Sequence, residues 1–308
     1  MMVLRLLIGC LAVGGVLTAQ EKETPSFIDP QKITELTQQV KPSIVLVHQI
    51  GRNGKPRGTG SGFVIDKSGL IATNFHVIGE DRAVEVELDN GKRYKAKAIH
   101  LWNKRFDLAV LKIDPQGAKL RPLRLADSDS IQQGQFVAGF GAPRGLDFSV
   151  VPGVISAVRK LEEGFMGSEE ITPDYPMIQL AMPIEQGNSG GPVVDLNGDV
   201  LGIVTLKHTV TANLGFAVRS NDLANLLEQD PNTVTMDRWL TIGRLDSRQW
   251  TPVMGANWRQ RGGKITVSEK GSGFGGRSIC VSERAVPKGR FDVSVEVKLD
   301  NEAGAAGL

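Results

Sequence analysis

The chain has almost no cysteine: Cys10 and Cys280 are the only two in 308 residues. Two thiols cannot make the disulfide framework that holds small secreted domains together, so packing and sheet hydrogen bonds must carry the fold. Histidine is scarce too. His48, His76, His100 and His208 stand singly, with no i,i+4 pair and no carboxylate at metal spacing, which argues against a structural zinc site. An excess of one charge is also missing. The net charge of +2 is too balanced for a protein built to live on nucleic acid or anionic lipid. No repeat of 20–50 residues is visible. Aromatic residues are only 6% of the chain. What is abundant is apolar residues, at 41%, enough for a real core and against a disordered chain. Glycine is plentiful as well, 36 residues, well above the usual ~7%. The length allows about two domains.

No apolar run reaches the about 20 residues that cross a bilayer comfortably. The longest follows Arg5, in LLIGCLAVGGVLTAQ. A basic start, an apolar stretch and a small residue at Ala19 read as a secretory signal over residues 1–20, which places the mature protein in the periplasm or outside the cell. Two other readings stay open. One is an uncleaved anchor. The other is a lipoprotein leader, because Leu7-Ile8-Gly9-Cys10 has the look of a lipobox.

Residues 21–41 read as an arm and a short helix, with QKITELTQQV showing apolar residues at helical spacing before Pro42. From Ser43 the period changes. Short runs rich in branched residues follow one another, among them SIVLVHQI, GSGFVID, AVEVELD, DLAVLKI and GDVLGIVTL, separated by Gly-containing turns. About a dozen strands and a single late helix near residues 221–228 predict an all-β fold over 42–230, of a size for two packed barrels. Residues 161–176 show no strand pattern, and a loop of that length is usually functional or mobile. Residues 236–308 hold Trp239, Trp250 and Trp258 and then alternating strands, and read as a second, partial β-rich segment, cut short where the chain stops.

The chemistry concentrates in three places. Glu185-Gln186-Gly187-Asn188-Ser189-Gly190-Gly191-Pro192 surrounds one serine with glycines, so the backbone can approach a ligand closely and aim N–H groups at a developing oxyanion. A serine hydroxyl is a poor nucleophile without a base in reach. Thr73-Asn74-Phe75-His76-Val77 ends an apolar strand with an imidazole, and Asp107 opens the apolar run DLAVLKI. A carboxylate so placed needs a partner to offset its desolvation, and an imidazole N–H is the partner serine chemistry uses. Taken alone, His76, Asp107 and the glycine-rich turn each have a plainer structural reading. His48, His100 and His208 lack such neighbours and keep that plainer reading.

In order, GSGFVID, TNFHVI, DLAVLKI, SVVPGVISAV, QGNSGGPVVD, GDVLGIVTL and GFAV resemble trypsin-like serine proteases of the HtrA/DegP family, over roughly residues 30 to 230. The resemblance implies a double β-barrel with its site in the cleft between barrels. It implies His76 as general base, Asp107 as the carboxylate that orients it and Ser189 as nucleophile. The backbone N–H groups of Gly187 and Ser189 would form the oxyanion hole. Ile184 and the strand Thr205-Leu206-Lys207 would contact substrate, the strand by main-chain pairing. No cofactor or metal is required.

The implied activity is an exported, ATP-independent endopeptidase for unfolded polypeptides, cutting after small or medium aliphatic residues. Asn188 stands where digestive relatives carry an aspartate that pairs with a new amino terminus. A neutral amide cannot make that ion pair, so control by ordering of loop 161–176 is expected rather than propeptide cleavage. Members of the family trimerise through the amino-terminal arm, where Phe27 and Ile28 would serve here. They often carry PDZ modules, whereas 236–308 looks more like the opening of a lectin-like sandwich.

Two rivals remain. One is a protease-fold chaperone or scaffold that binds without cutting. The other is an α/β-hydrolase, since Gly187-Asn188-Ser189-Gly190-Gly191 fits G-x-S-x-G. That second fold needs a helix straight after the serine, and acid and histidine after it in the chain, whereas here PVVD follows and His76 and Asp107 precede.

Overall fold

A computed structural model describes residues 30–51, 54–80, 82–142, 148–161, 175–207, 214–231, 233–262 and 264–283. The leader, Phe27, Ile28, His208, residues 162–174 of the long loop and the end of the tail lie outside them, as do the side chains of Leu206 and Lys207.

Helix α1 (Pro30–Val40) puts Leu36 and Val40 on one face, four residues apart, and buries both. Pro42 then turns the chain into the first barrel. That barrel uses β1 (Ile44–Ile50), β2 (Pro56–Asp66), β3 (Leu70–Asn74), β4 (Ala83–Leu88), β5 (Arg93–Asn103) and β6 (Leu108–Ile113). Their order is β5-β4-β1-β2-β3-β6, and β5 pairs with β6 to close the ring. The second barrel is closed in the order β10-β11-β12-β9-β8-β7. It is built from β7 (Phe136–Gly141), β8 (Ser149–Arg159), β9 (Met177–Ala181), β10 (Pro192–Val194), β11 (Val200–Lys207) and β12 (Leu214–Arg219). Closure leaves no long unpaired edge in either ring.

The continuous apolar runs have a direct cause. Successive strand residues face opposite sides, and here both sides are covered. On β6, Ala109, Leu111 and Ile113 fill the first barrel, while Leu108 and Val110 face the layer between the barrels. On β12, Ala217 fills the second barrel, while Phe216 and Val218 face that same layer. The layer also takes Leu36 and Val40 of α1 and Leu223 and Leu226 of α3 (Ser220–Leu227), so the two rings and both helices share one core.

Two short helices add to the single late one expected. His76 lies in α2 (Phe75–Ile78), a single turn that follows β3 directly, rather than at the strand end. Helix α4 (Met236–Leu240) follows a two-residue strand, β13 (Val234–Thr235), which pairs with Ile99 and Ala98 of β5. Trp239 is 1% exposed and its ring packs edge-on against Trp102 and Phe75. Residues 234–240 thus belong physically to the first barrel, although part of them falls in the sequence-defined tail. Elements of two and five residues carry too little periodicity to be read from sequence.

Beyond Leu240 the described tail makes two small antiparallel sheets. One orders β14 (Ile242–Arg244), β16 (Gly255–Arg261) and β17 (Lys264–Gly271), and the other pairs β15 (Trp250–Val253) with β18 (Ile279–Ser282).

Candidate active site

The histidine and aspartate meet at the start of α2. The Nδ1 of His76 lies 2.6 Å from Oδ2 of Asp107, and the His76 backbone N–H donates to Oδ1 at 2.9 Å. An ionised carboxylate only accepts, so the imidazole proton sits on Nδ1 and Nε2 keeps its lone pair. The loop before β6 is held to fit this. Asp107 adopts φ +52°, a left-handed conformation that aspartate tolerates better than most residues. Its carbonyl takes the Phe75 N–H at 3.0 Å and the side-chain amide of buried Asn74 at 3.0 Å. His76 remains half exposed, while Asp107 is mostly covered.

Thr205 joins this pair to the serine. Its hydroxyl donates to Asp107 Oδ2 at 2.6 Å, and its carbonyl accepts from Ser189 Oγ at 3.5 Å. The pairing of β11 with β12 skips a position between Val204 and Leu206, and Thr205 is the extra residue. Such a bulge re-aims a side chain out of the ladder, here across the cleft to Asp107. The Ser189 hydroxyl makes no hydrogen bond with His76 among the described residues. A 3.5 Å contact to Thr205 is weak, so little opposes rotation of that hydroxyl toward a base. Catalytic hydrogen bonds are often long without substrate.

The backbone around Ser189 is shaped by glycine. Gly187 sits at φ +106° and Gly190 at φ +85°. A Cβ on Gly190 would stand 2.1 Å from the Ser61 carbonyl and 2.3 Å from Thr73 Oγ1, so no other residue fits this turn. The N–H groups of Gly187 and Ser189 donate to no acceptor among the described residues, whereas those of Asn188 and Gly190 are taken by Glu185 and Val204. Two such donors on alternate residues of one turn, beside a hydroxyl, are what a tetrahedral oxyanion needs. After Ser189 comes β10, not a helix, which removes the nucleophile-elbow reading.

Other expected residues fall as follows. Ile184 is half-buried and fills the space beside Gly215, where an added Cβ would lie 2.0 Å from its Cδ1. Leu206 and Lys207 pair through their backbones with Phe216 and Gly215. Asn188 is buried with its Oδ1 unpartnered among the described residues. His48 is buried between Thr59 and Glu87, and His100 contacts Thr233, neither of them in the site. Two functional-looking residues are not evident in sequence: the Thr205 hydroxyl acting on Asp107, and Ser61. Each is a polar residue inside an apolar run, which in a buried strand demands a partner.

The family model for a trypsin-like peptidase domain matches residues 60–203. Serine protease HTRA4 of Mus musculus is 37% identical over 204 residues, covering 64% of this chain and 40% of its own length. Serine protease HTRA1B of Danio rerio is 32% identical over 242 residues, covering 74% and 48%. Among solved structures, the active form of the Rv3671c protease from M. tuberculosis superposes with TM-score 0.56 at 27% identity, covering 65% of this chain and 86% of that one. The serine endoprotease from Yersinia pestis gives TM-score 0.53 at 28% identity, covering 67% of each chain. Fold and site therefore define a trypsin-like double β-barrel domain. Within that class the chain is similar to HtrA serine proteases, and it spans less than half the length of the curated relatives named here.

Proposed function

We propose that this chain is a serine endopeptidase that acts through His76, Asp107 and Ser189. The observation that carries the reading is the Thr205 bridge, which ties the imidazole–carboxylate pair to the serine beside two free backbone donors. In the reaction Ser189 Oγ attacks the scissile carbonyl carbon while Nε2 of His76 takes its proton. The carbonyl becomes an oxyanion held by the N–H groups of Gly187 and Ser189. Asp107 steadies the imidazolium. As the C–N bond breaks, His76 returns the proton to the leaving amine and an acyl-serine remains. Water then gives a proton to the same imidazole and attacks the acyl carbon, the C–Oγ bond breaks, Ser189 Oγ takes that proton back from His76, and the acid leaves.

The substrate reading follows from the walls. Ile184 packs closely against Gly215, and an apolar wall of this kind supports cleavage after small or medium aliphatic residues. Main-chain pairing along 205–207 is blind to side chains, which suits unfolded polypeptide in protein quality control outside the cytoplasm, with the leader as export signal. Assembly as a trimer through the arm at Phe27 and Ile28, and control through loop 161–176, belong to the same reading.

The test is hydrolysis of unfolded casein by the full chain. Ser189→Ala should lower turnover on the order of 10⁶-fold. Asp107→Asn should lower it roughly 10⁴-fold by trapping the wrong tautomer of the base. Equal activity in wild type and Ser189→Ala would place the chemistry elsewhere. Casein binding without cleavage in either would favour the scaffold reading.

A further inference from the structure

Ser61 lies on β2, in the barrel that carries His76 and Asp107, while the loop around Ser189 belongs to the other barrel. It is 0% exposed. Its hydroxyl donates to the Gly187 carbonyl at 2.6 Å and accepts the Ala142 N–H at 3.0 Å. Its own N–H donates to the Ser189 carbonyl at 2.8 Å. Its carbonyl in turn accepts the hydroxyl of buried Thr73 at 2.7 Å. One residue thereby grips, across the cleft, the carbonyls of both residues whose N–H groups donate to no acceptor among the described residues.

The direction of the first bond is unambiguous. A carbonyl has no hydrogen to give, so the Ser61 proton points at Gly187, and the Ala142 N–H fills an oxygen lone pair. The mechanical consequence follows from peptide planarity. Holding the Gly187 oxygen fixes the plane that joins residues 187 and 188. Holding the Ser189 oxygen fixes the plane that joins 189 and 190. The intervening plane, which carries the Ser189 N–H, is held within the turn by its own carbonyl, which accepts the Gly191 N–H at 3.0 Å, so gripping the two outer planes sets the orientation of the whole turn. Gly187 at φ +106° is a residue whose flanking planes turn easily unless something pins them.

We propose that Ser61 is the positioning residue of the oxyanion site: by gripping the carbonyls of Gly187 and Ser189 it fixes the turn that carries their N–H groups, pinning the plane on the far side of the Gly187 Cα so that the Gly187 N–H is left only its own φ to turn about. This rests on the peptidase reading. Ser61 touches no reacting atom, so its loss should weaken transition-state binding and spare substrate binding.

The test compares the full wild-type chain with Ser61→Ala, and with Ser61→Cys, which keeps a weaker donor. Four quantities are read: kcat, KM, the inhibition constant of a peptide aldehyde that adds reversibly to the serine, and the melting temperature. In Ser61→Ala, kcat should fall about 10- to 100-fold, less than the ~10²–10³-fold cost of losing an oxyanion donor itself. KM should stay within about twofold, aldehyde affinity should fall in parallel with kcat, and Ser61→Cys should lie between. A lower melting temperature with kcat and aldehyde affinity within about threefold of wild type would make Ser61 merely structural and overturn the inference. If Ser61→Ala fails to fold, Ser61→Cys decides by the same two ratios. Wild-type protein that neither hydrolyses peptide nor binds the aldehyde would overturn the peptidase reading itself, a result distinct from the other.

Discussion

At the scale of single residues, Thr205 is the most instructive. Sequence places it among the substrate-contacting residues, and the structure adds a hydroxyl bonded to Asp107. The two roles separate kinetically. Thr205→Val is nearly isosteric and deletes only that bond to a charged group, worth about 1.5–3 kcal/mol. If the hydroxyl supports the carboxylate, kcat falls about tenfold, the equivalent of ~1.4 kcal/mol at the barrier, and KM holds. If it only meets substrate, KM rises and kcat is unchanged. Steady-state kinetics on one peptide substrate decides between them.

Much at this scale is legible beforehand. His76, Asp107 and Ser189 stand out because the ordered motifs around them resemble a known family, although each alone has a plainer reading. Ser61 and Thr205 are harder to see, because a small hydroxyl in a β run reads as an ordinary strand residue. Only the bulge at 205 and the approach of β2 to the serine loop reveal their partners. Such features depend on pairing between distant segments, which no local pattern encodes.

Among the elements, the segment after α3 changes most between sequence and structure. The first barrel closes on itself, yet β13 adds to β5 and α4 drives Trp239 into the core beside Phe75. Phe75 precedes His76, and its N–H is held by the Asp107 carbonyl, so the wedge braces the helix that carries His76. Trp239→Ala should cost about 3–5 kcal/mol, the range for a fully buried large ring. Trp239→Phe should lose under about 1.5 kcal/mol, since it keeps the ring contact and removes an indole N–H that has no partner among the described residues. Denaturant unfolding of the full chain measures both. Equal stabilities for Trp239→Ala and wild type would mean that 234–240 only lies against the barrel.

A second element-level test uses pH. Glu87 on β4 is bonded by His48 of β1 and by Arg93 of β5. Burial works to raise its carboxyl, but the hydrogen bonds and charges of Arg93 and His48 outweigh this and hold it below its ordinary value. A depressed carboxyl contributes stability that is present above its unfolded value and lost as pH falls through its folded one. The melting temperature should therefore drop between about pH 5 and pH 3, and less steeply in Glu87→Gln. The same slope in wild type and variant would remove Glu87 from the acid response.

At the scale of the whole molecule, the double barrel explains where a site can form. Each ring alone is a closed, filled core. Only the layer between them brings side chains of one ring against the loops of the other, and the Ser61, Thr205 and Asp107 contacts all cross it. The expectation of two packed barrels rested on strand number and spacing, and the closed rings show it. The tail is less legible. Its described strands leave Ile242, Val267, Ile279 and Val281 exposed, and Phe274 is 92% exposed. These residues are spread over two small sheets and a turn, so the described tail shows no shared core that the alternating pattern could have announced.

The most direct measurement is labelling of the native full chain with a fluorophosphonate, followed by mapping of the modified peptide. Fluoride leaves, an Oγ–phosphorus bond forms and the serine proton passes to the base, so only an activated serine reacts. One adduct at Ser189, absent in Ser189→Ala and strongly reduced in His76→Ala, is the expected result. A folded chain that stays unlabelled, or labels with equal speed once His76 is gone, would contradict the claim that this cleft activates a serine.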